Sequence, residues 1–391
     1  MHSRVDSMRS ASPIGSPVTT SRHAAPPLAR SLLLDSTMRF SQLRTLALLC
    51  AAAACTASPG RKSSTSSSTG SGSGSDSTDD TTCDRLDEDV TIRTTADLAD
   101  LPSTGCYDIY GKLIVQGAAI TSLAGVHGLN SVDELELDGT GLTTIDTPRQ
   151  IGIYGKLTLT NNTKLTNLAP LVFQAPVTGL LIDHNAALTT LDPLVLSDPA
   201  LVEVDGDVAI TNNAALTAVP LGHLTRITGA LTITGNAAAK TIDLGKLAAT
   251  GRVEISSNTA LTAISAFGAT TIAGDLAVRN NPALTSIATL SALYRVTGGV
   301  AIDSNAALTN LGAFTTSLQY IDGALAVTNN KALTDLGALK HTSLIGAITV
   351  TGNQNLVICR AIELDRCVSH AVTSTITNNK DVACNWQCVD P

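Results

Sequence analysis

The amino-acid sequence predicts an all-β fold, built as a single β-solenoid of about ten to twelve coils. Three observations predict it: a repeat of roughly 24 residues between positions 111 and 356, an asparagine at a fixed place in each copy, and cysteines confined to the two ends of the repeat region. A repeat this short cannot bury its apolar side alone, whereas stacked copies can. We therefore expect a rod in which each coil contacts only its neighbours.

The repeat has the common form G-x-Φ-x-Φ-x-x-N-x-x-L-T-x-Φ, in which Φ is apolar. Clear copies are GDVAITNNAALTAV from Gly206 and GALAVTNNKALTDL from Gly323. The Φ-x-Φ pair alternates with small or polar residues, which is typical of a strand with one face turned inward. The L-T-x-Φ step predicts a second short strand, and the ten or so residues that remain predict a third inward contact.

The repeated asparagine is expected to be structural. At a corner its amide can bond the backbone of its own coil and of adjacent coils, so a stacked row predicts an internal ladder. The alternative is a row of ligand-binding amides, which we consider the weaker interpretation. The row consists of Asn162, Asn185, Asn213, Asn236, Asn258, Asn281, Asn305, Asn330, Asn353 and Asn379.

The first 54 residues predict export. Residues 1–37 are rich in Ser, Pro, Arg and His without any periodic pattern, and we expect a disordered extension that precedes the true start at Met38. Residues 38–54 combine Arg39 and Arg44 with a short apolar core, which is the organisation of a signal peptide. That core is too short to span a bilayer.

A lipid anchor and a tether are expected next. The run Ala52-Ala53-Ala54-Cys55 resembles a bacterial lipobox, in which the cysteine becomes the first mature residue and carries lipid. The alternative is an ordinary signal peptide cut nearby. Residues 55–82 are rich in Ser and Gly, a composition that stays flexible. Thr56 after the cysteine resembles lipoproteins of the outer membrane, so we expect an exported, surface-exposed chain anchored there.

The eight cysteines predict an oxidising compartment and stapled ends. None lies between Cys106 and Cys359, so we expect an N-terminal cap over residues 83–110, closed by Cys83 and Cys106, and a C-terminal cap over residues 357–391. Four cysteines fall in the second cap, and four cysteines allow three pairings. The segment Arg360 to Arg366 is expected to form a short helix that covers the last coil.

Composition and motifs argue against several functions. The formal net charge is −8, and beyond the first 55 residues, which hold six Arg and two Asp, it is −12. Nucleic-acid binding needs a basic surface instead. Asp183 and His184 form the most plausible catalytic dyad. The second carboxylate that acid–base catalysis would need is Asp303, which occupies the equivalent position five coils further on and should lie about 24 Å away, too far to cooperate. No metal-ligand spacing, nucleophile motif or phosphate loop occurs, so we expect no enzyme, metal or cofactor.

The repeat resembles the receptor L-domain, a right-handed β-helix related to leucine-rich repeats, and still more the bacterial surface lipoproteins built from such repeats. The resemblance covers about residues 83–388. It implies a single right-handed β-helix and places Cys359 and Cys384 at the cysteine positions of a closing cap, which leaves Cys367 to pair with Cys388. Cys367 departs from the pattern, because an apolar residue is more usual there.

A non-catalytic recognition or adhesion module on the cell surface is the function we expect. Its partners would be the membrane, through the lipid, and an unidentified protein or polysaccharide. The alternatives are a structural envelope component without a specific ligand and a polysaccharide-acting β-helix enzyme. A contiguous aromatic or charged patch on one face of the rod would favour recognition over a purely structural role.

Overall fold

The computed structural model describes residues 83–174, 177–192, 202–265, 267–287, 290–312, 317–336, 339, 342–367 and 373–381. Within them the chain is all-β, with parallel strands stacked as a solenoid of about twelve turns, which confirms the predicted fold class. The predictions for the signal peptide, for Cys55 and for the tether lie outside the described residues. Cys384 and Cys388 lie outside them too.

The elements whose bounds lie wholly within the described residues are 26 strands, one α-helix and one 3-10 helix. The helices are the 3-10 helix Asp97–Asp100 and α1 (Ile358–Cys367). The strands of the first half are β1 (Asp84–Leu86), β2 (Val90–Ile92), β3 (Tyr107–Gln116), β4 (Leu129–Asp138), β5 (Ile151–Ile153), β6 (Lys156–Thr160), β7 (Leu171–Phe173), β8 (Gly179–Asp183), β9 (Glu203–Val204), β10 (Val208–Thr211), β11 (Ala218–Pro220), β12 (Arg226–Ile227) and β13 (Leu231–Thr234). Those of the second half are β14 (Thr241–Asp243), β15 (Ala249–Thr250), β16 (Val253–Ser256), β17 (Ala263–Ile264), β18 (Thr271–Ile272), β19 (Leu276–Arg279), β20 (Arg295–Val296), β21 (Val300–Asp303), β22 (Tyr320–Ile321), β23 (Leu325–Thr328), β24 (Ser343–Leu344), β25 (Ile348–Thr351) and β26 (Ser374–Thr377).

Three parallel sheets run along the rod. The long sheet has 16 strands and carries the Φ-x-Φ segments, in the order β1-β3-β4-β6-β8-β10-β13-β16-β19-β21-β23-β25-β26, with β2, β5 and β7 beside this path. The second sheet has seven strands, β9, β12, β15, β18, β20, β22 and β24, and comes from the segment expected to give only a third inward contact. The third sheet contains β11, β14 and β17, so the L-T-x-Φ segment pairs as a described strand in just three coils.

The core is a continuous stack of apolar side chains. In β10, Val208 and Ile210 are fully buried while Ala209 and Thr211 face outward. Val208 pairs with Leu231 of the next coil, so inward residues of neighbouring strands lie side by side. The same register recurs along the long sheet. Each coil therefore completes the burial of its neighbour, which is the basis of solenoid stability.

A second column of inward residues precedes the Φ-x-Φ pair by three or four positions in every coil. It runs along the second sheet and, in the early coils, along β1, the first part of β3 and β4, and β5. We number the coils by these residues, from coil 1 to coil 12: Leu86, Ile109, Val132, Ile153, Val177, Val204, Ile227, Thr250, Ile272, Val296, Ile321 and Leu344. At about 4.8 Å per coil the column is about 53 Å long.

The corners explain two features of the repeat. The residue before each ladder asparagine adopts a left-handed conformation with φ of 53–59° in the non-glycine cases, among them Asn161, His184 and Ser304. Asn and Gly tolerate that conformation best, which accounts for the polar residues there. The glycine that opens the repeat is required by close packing, since a Cβ at Gly206 would lie 2.0 Å from the Thr178 carbonyl oxygen.

The N-terminal end of the solenoid carries a disulfide, and a short helix lies at the C-terminal end. A disulfide joins Cys83 to Cys106 at the N-terminal end, as the sequence predicts. At the other end α1 contacts β26, and it contains the segment Arg360 to Arg366, which confirms the expected cap helix. Cys359 is disulfide-bonded, but its pairing with Cys384 stays a prediction because that partner lies outside the described residues.

Candidate recognition surface

The ten asparagines lie in one row inside the rod. From Asn185 onward, each Oδ1 accepts a hydrogen bond from the backbone N–H of the preceding asparagine at 2.9–3.1 Å and from its Nδ2 at 3.1–3.4 Å. Each Nδ2 also donates to a strand carbonyl at 2.8–3.0 Å. Thr140 starts the row by donating to Asn162 through its N–H and its hydroxyl.

The amide side chains of the ladder are already hydrogen-bonded within the protein and are not available to a ligand. All of its asparagines except Asn379 are fully buried, and both atoms of each amide are engaged within the protein. An unpaired amide in this position would cost free energy, whereas a fully satisfied network holds each coil in register with the next. The row therefore serves stacking and leaves any binding site to the outer surface.

The Asp183–His184 pair is present, and its carboxylate has a structural role. His184 Nδ1 lies 2.6 Å from Asp183 Oδ2, while Oδ1 accepts from Thr211 Oγ1 and from Asn212 Nδ2 in the next coil. Two further aspartates repeat these contacts without a histidine, Asp138 with Thr160 and Asn161, and Asp303 with Thr328 and Asn329. The shared feature is a carboxylate that ties one coil to the next.

Hydrogen bonding also sets the charge state of Asp183. Burial alone would raise the pKa of this carboxyl, but the hydrogen bonds from Thr211, His184 and Asn212 together outweigh it and hold the pKa below its ordinary value. Asp183 is therefore ionised at neutral pH, as an acceptor of these bonds must be. The register places Asp303 five strands away along the same outward row.

Metal and membrane features can be assessed for the described part of the chain. It contains no group of three or more His, Cys, Asp or Glu side chains arranged to hold a metal ion. No helix within it has the length and apolar character needed to cross a membrane.

One face of the rod carries all the large hydrophobic side chains that are exposed in the described residues. Each of them lies within two positions of an inward residue of the second column, so they share the outer surface of the second sheet and of its continuation through coils 2 and 4. We call this surface the tyrosine face. Its exposed residues are Tyr110, Tyr154, Val202, Tyr294, Tyr320 and Ile345.

The densest part of the tyrosine face is a pair of aromatic rings in coils 10 and 11. Tyr294 and Tyr320 are 43% and 39% exposed, and their ring centroids lie 5.3 Å apart in an edge-to-face arrangement. Arg295 extends over Tyr320 with its guanidinium carbon 5.8 Å from the ring centroid, and both Nε and Nη2 donate to Asp322 Oδ2. Hydrogen bonding to Tyr320, with a smaller contribution from burial, raises the pKa of Tyr294.

A second aromatic group lies at the N-terminal end of the same face. Tyr110 in coil 2 has the guanidinium of Arg85 stacked 3.8 Å from its ring centroid, and Asp87 forms an ion pair with that arginine. Tyr154 lies two coils further on, with Asp133 at the equivalent position between the two tyrosines. Each group thus combines two tyrosines with an arginine and at least one aspartate.

The outward side of the long sheet has a different chemistry. Its strands present pairs such as Thr158 and Thr160, Ala209 and Thr211, or Ala326 and Thr328. Tyrosine and arginine dominate the energetics of protein interfaces, whereas alanine, serine and threonine contribute little. The tyrosine face is therefore the candidate recognition surface.

Sequence reasoning identified the ladder but missed the tyrosine face. The signal was present, since each exposed tyrosine lies one or two positions from an apolar residue that precedes the Φ-x-Φ pair by three or four positions. It was hidden because this segment varies in length and, outside β3 and β4, forms strands of only two or three residues. Comparison of the chain with protein-family models, with curated proteins and with solved structures finds no match in any of the three.

Proposed function

We propose that this chain is a non-catalytic recognition or adhesion module of the bacterial cell surface. The observation that carries the proposal is the restriction of every exposed large hydrophobic side chain of the described residues to one face of the rod. Exposed apolar side chains grouped on one surface, with tyrosines and arginines among them, are typical of interaction sites. A purely structural rod would have no reason to concentrate them there.

The solenoid, in this proposal, is of the receptor L-domain type and is displayed at the outer membrane by a lipid on Cys55. Support comes from the lipobox-like run that ends at Cys55 and from the Ser/Gly-rich segment between it and the first coil. A Cys55→Ser change should release the chain from the membrane fraction into the soluble fraction. An unchanged distribution would refute lipidation at that cysteine.

Recognition itself is tested by binding of the exported chain to intact bacterial cells and to purified envelope polysaccharide. We expect saturable binding that falls at least tenfold when Tyr294 and Tyr320 are both changed to serine, because truncating an interface hot spot costs about 2 kcal/mol or more. Leu181→Ser, on the outward side of β8, is the matched control and should bind like the wild-type chain.

Two outcomes would contradict recognition through this face. One is the absence of saturable binding to either probe, which would favour a structural envelope component. The other is saturable binding that the tyrosine substitutions leave unchanged while Leu181→Ser weakens it, which would move the site to the long sheet.

A further inference from the structure

We infer that the partner of the tyrosine face is the same face of a second copy of this chain, lying antiparallel to the first. This inference rests on the proposed recognition function and names its partner. Two rods that face each other in this way are related by a two-fold axis parallel to the strands. Such an axis sets coil 1 against coil 12, coil 2 against coil 11 and coil 6 against coil 7, with equivalent strand positions opposite each other.

The middle of the face is charge-complementary under this symmetry. Full overlap of twelve coils places the axis between coils 6 and 7, where Glu203 and Arg226 occupy the same outward strand position. Glu203 of each copy then lies opposite Arg226 of the other, so the dimer contains two such opposite-charge pairs. Neither side chain makes a hydrogen bond or ion pair to another described residue, whereas Arg295, Arg252 and Arg85 are all paired within the chain.

The aromatic groups are also complementary in the antiparallel arrangement. Coil 2 meets coil 11, so Tyr320 lies opposite Asp108, and Tyr110 lies opposite Asp322. Each tyrosine hydroxyl can donate to the carboxylate it meets, a charge-assisted hydrogen bond. Tyr154 in coil 4 meets Ala273 in coil 9, which leaves room for its ring.

A parallel alignment is less favourable. A two-fold axis along the rod would set each coil against itself and reverse the strand direction. Glu203 of one copy would then lie opposite Asp205 of the other, twice, and opposed like charges at an interface are costly. The charge pattern therefore selects the antiparallel alignment.

The size of the contact indicates a weak, multivalent interaction. A column about 53 Å long and about 10 Å wide gives about 530 Å² of face per copy, or about 1,060 Å² in total. That is the lower limit for a specific interface, so affinity per pair should be modest and many tethered copies should raise it. The antiparallel alignment also puts the two N-terminal ends at opposite ends of the paired rods, which suits contact between two facing surfaces.

Charge reversal with heterotypic rescue tests the inference. The exported chain is attached through its N-terminus to beads of two colours, and bead aggregation and the association constant are measured. Glu203→Arg sets arginine against Arg226, and Arg226→Glu sets glutamate against Glu203, so each variant alone should associate at least tenfold more weakly than the wild type. A mixture of the two restores both opposite-charge pairs and should associate within about threefold of the wild type.

The mixture also controls for misfolding, since two damaged chains could not restore each other. Lys164→Glu, an exposed change away from the tyrosine face, should leave association unchanged. The inference is overturned if either reversed variant associates like the wild type, or if the mixture is no better than its components. If wild-type beads stay dispersed while the chain still binds cells through Tyr294 and Tyr320, self-association is wrong and recognition stands. If both tests are negative, both proposals fail.

Discussion

Breaking the asparagine ladder in its middle should destabilise the rod by a calculable amount. In Asn258→Ala the backbone N–H of Asn236 loses its acceptor at 3.0 Å, and the carbonyl of Ile233 loses its donor at 2.9 Å. Both groups are buried, and each unsatisfied group costs about 1–3 kcal/mol. The Oδ1 of Asn281 loses the Asn258 Nδ2 donor but keeps the backbone N–H of residue 258 as a donor, so it stays satisfied. The expected loss of unfolding free energy is therefore about 4 kcal/mol.

Urea denaturation of the exported chain and amide hydrogen exchange measure this effect. The loss should appear as a lower midpoint, and the amide of Asn236 should lose most of its protection, because its only acceptor has gone. Asn310→Ala is the control: this side chain is exposed and bonds only within its own turn, so the change should cost less than about 1 kcal/mol. A loss below 1 kcal/mol for Asn258→Ala, or an unchanged Asn236 amide, would refute the account of the ladder.

Three further predictions concern buried groups and the N-terminal staple. Thr250 occupies the inward column and its hydroxyl has no partner, so Thr250→Val should raise the free energy of unfolding by about 1–2 kcal/mol in urea denaturation. Burial raises the pKa of Tyr107 to about 12, above the unfolded value near 10, so stability should fall by roughly 2–3 kcal/mol from pH 10 to 12. Tyr107→Phe should abolish that particular loss. Opening the 23-residue link between Cys83 and Cys106 by replacing both with alanine should cost about 3 kcal/mol.

Each of these predictions has a contrary outcome. A destabilising Thr250→Val change would mean that the hydroxyl has a partner in solution. An alkaline stability profile that is identical with and without the Tyr107 hydroxyl would show that this group does not stay neutral in the folded chain. An unchanged melting temperature after removal of the disulfide would show that the first coil is held by packing alone.

The long sheet was predictable because its information is local. The alternation in each Φ-x-Φ pair, as in Val208 and Ile210, identifies the buried face of that strand. Each central asparagine likewise identifies the corner of its own coil. Stacking identical coils then brings the asparagines together without any long-range information. The N-terminal disulfide was predictable for a similar reason, since Cys83 and Cys106 lie one repeat apart.

The tyrosine face was not predictable by the same reasoning, because it depends on the register between coils. Tyr294 and Tyr320 are 26 positions apart and occupy different strand positions, so the 24-residue period does not align them. Their contact arises because Tyr294 lies two residues before Val296 while Tyr320 lies one residue before Ile321. The offset across neighbouring coils brings the rings to 5.3 Å.

Hydroxyl-radical footprinting of the chain, free and engaged with its partner, tests the central claim most directly. The claim is that the chain works through the tyrosine face, and footprinting needs no prior assignment of the partner. Engagement should protect Tyr110, Tyr154, Tyr294 and Tyr320, while Leu181 on the long sheet reacts as it does in the free chain. Protection confined to the long sheet, with all four tyrosines reacting unchanged, would contradict the account.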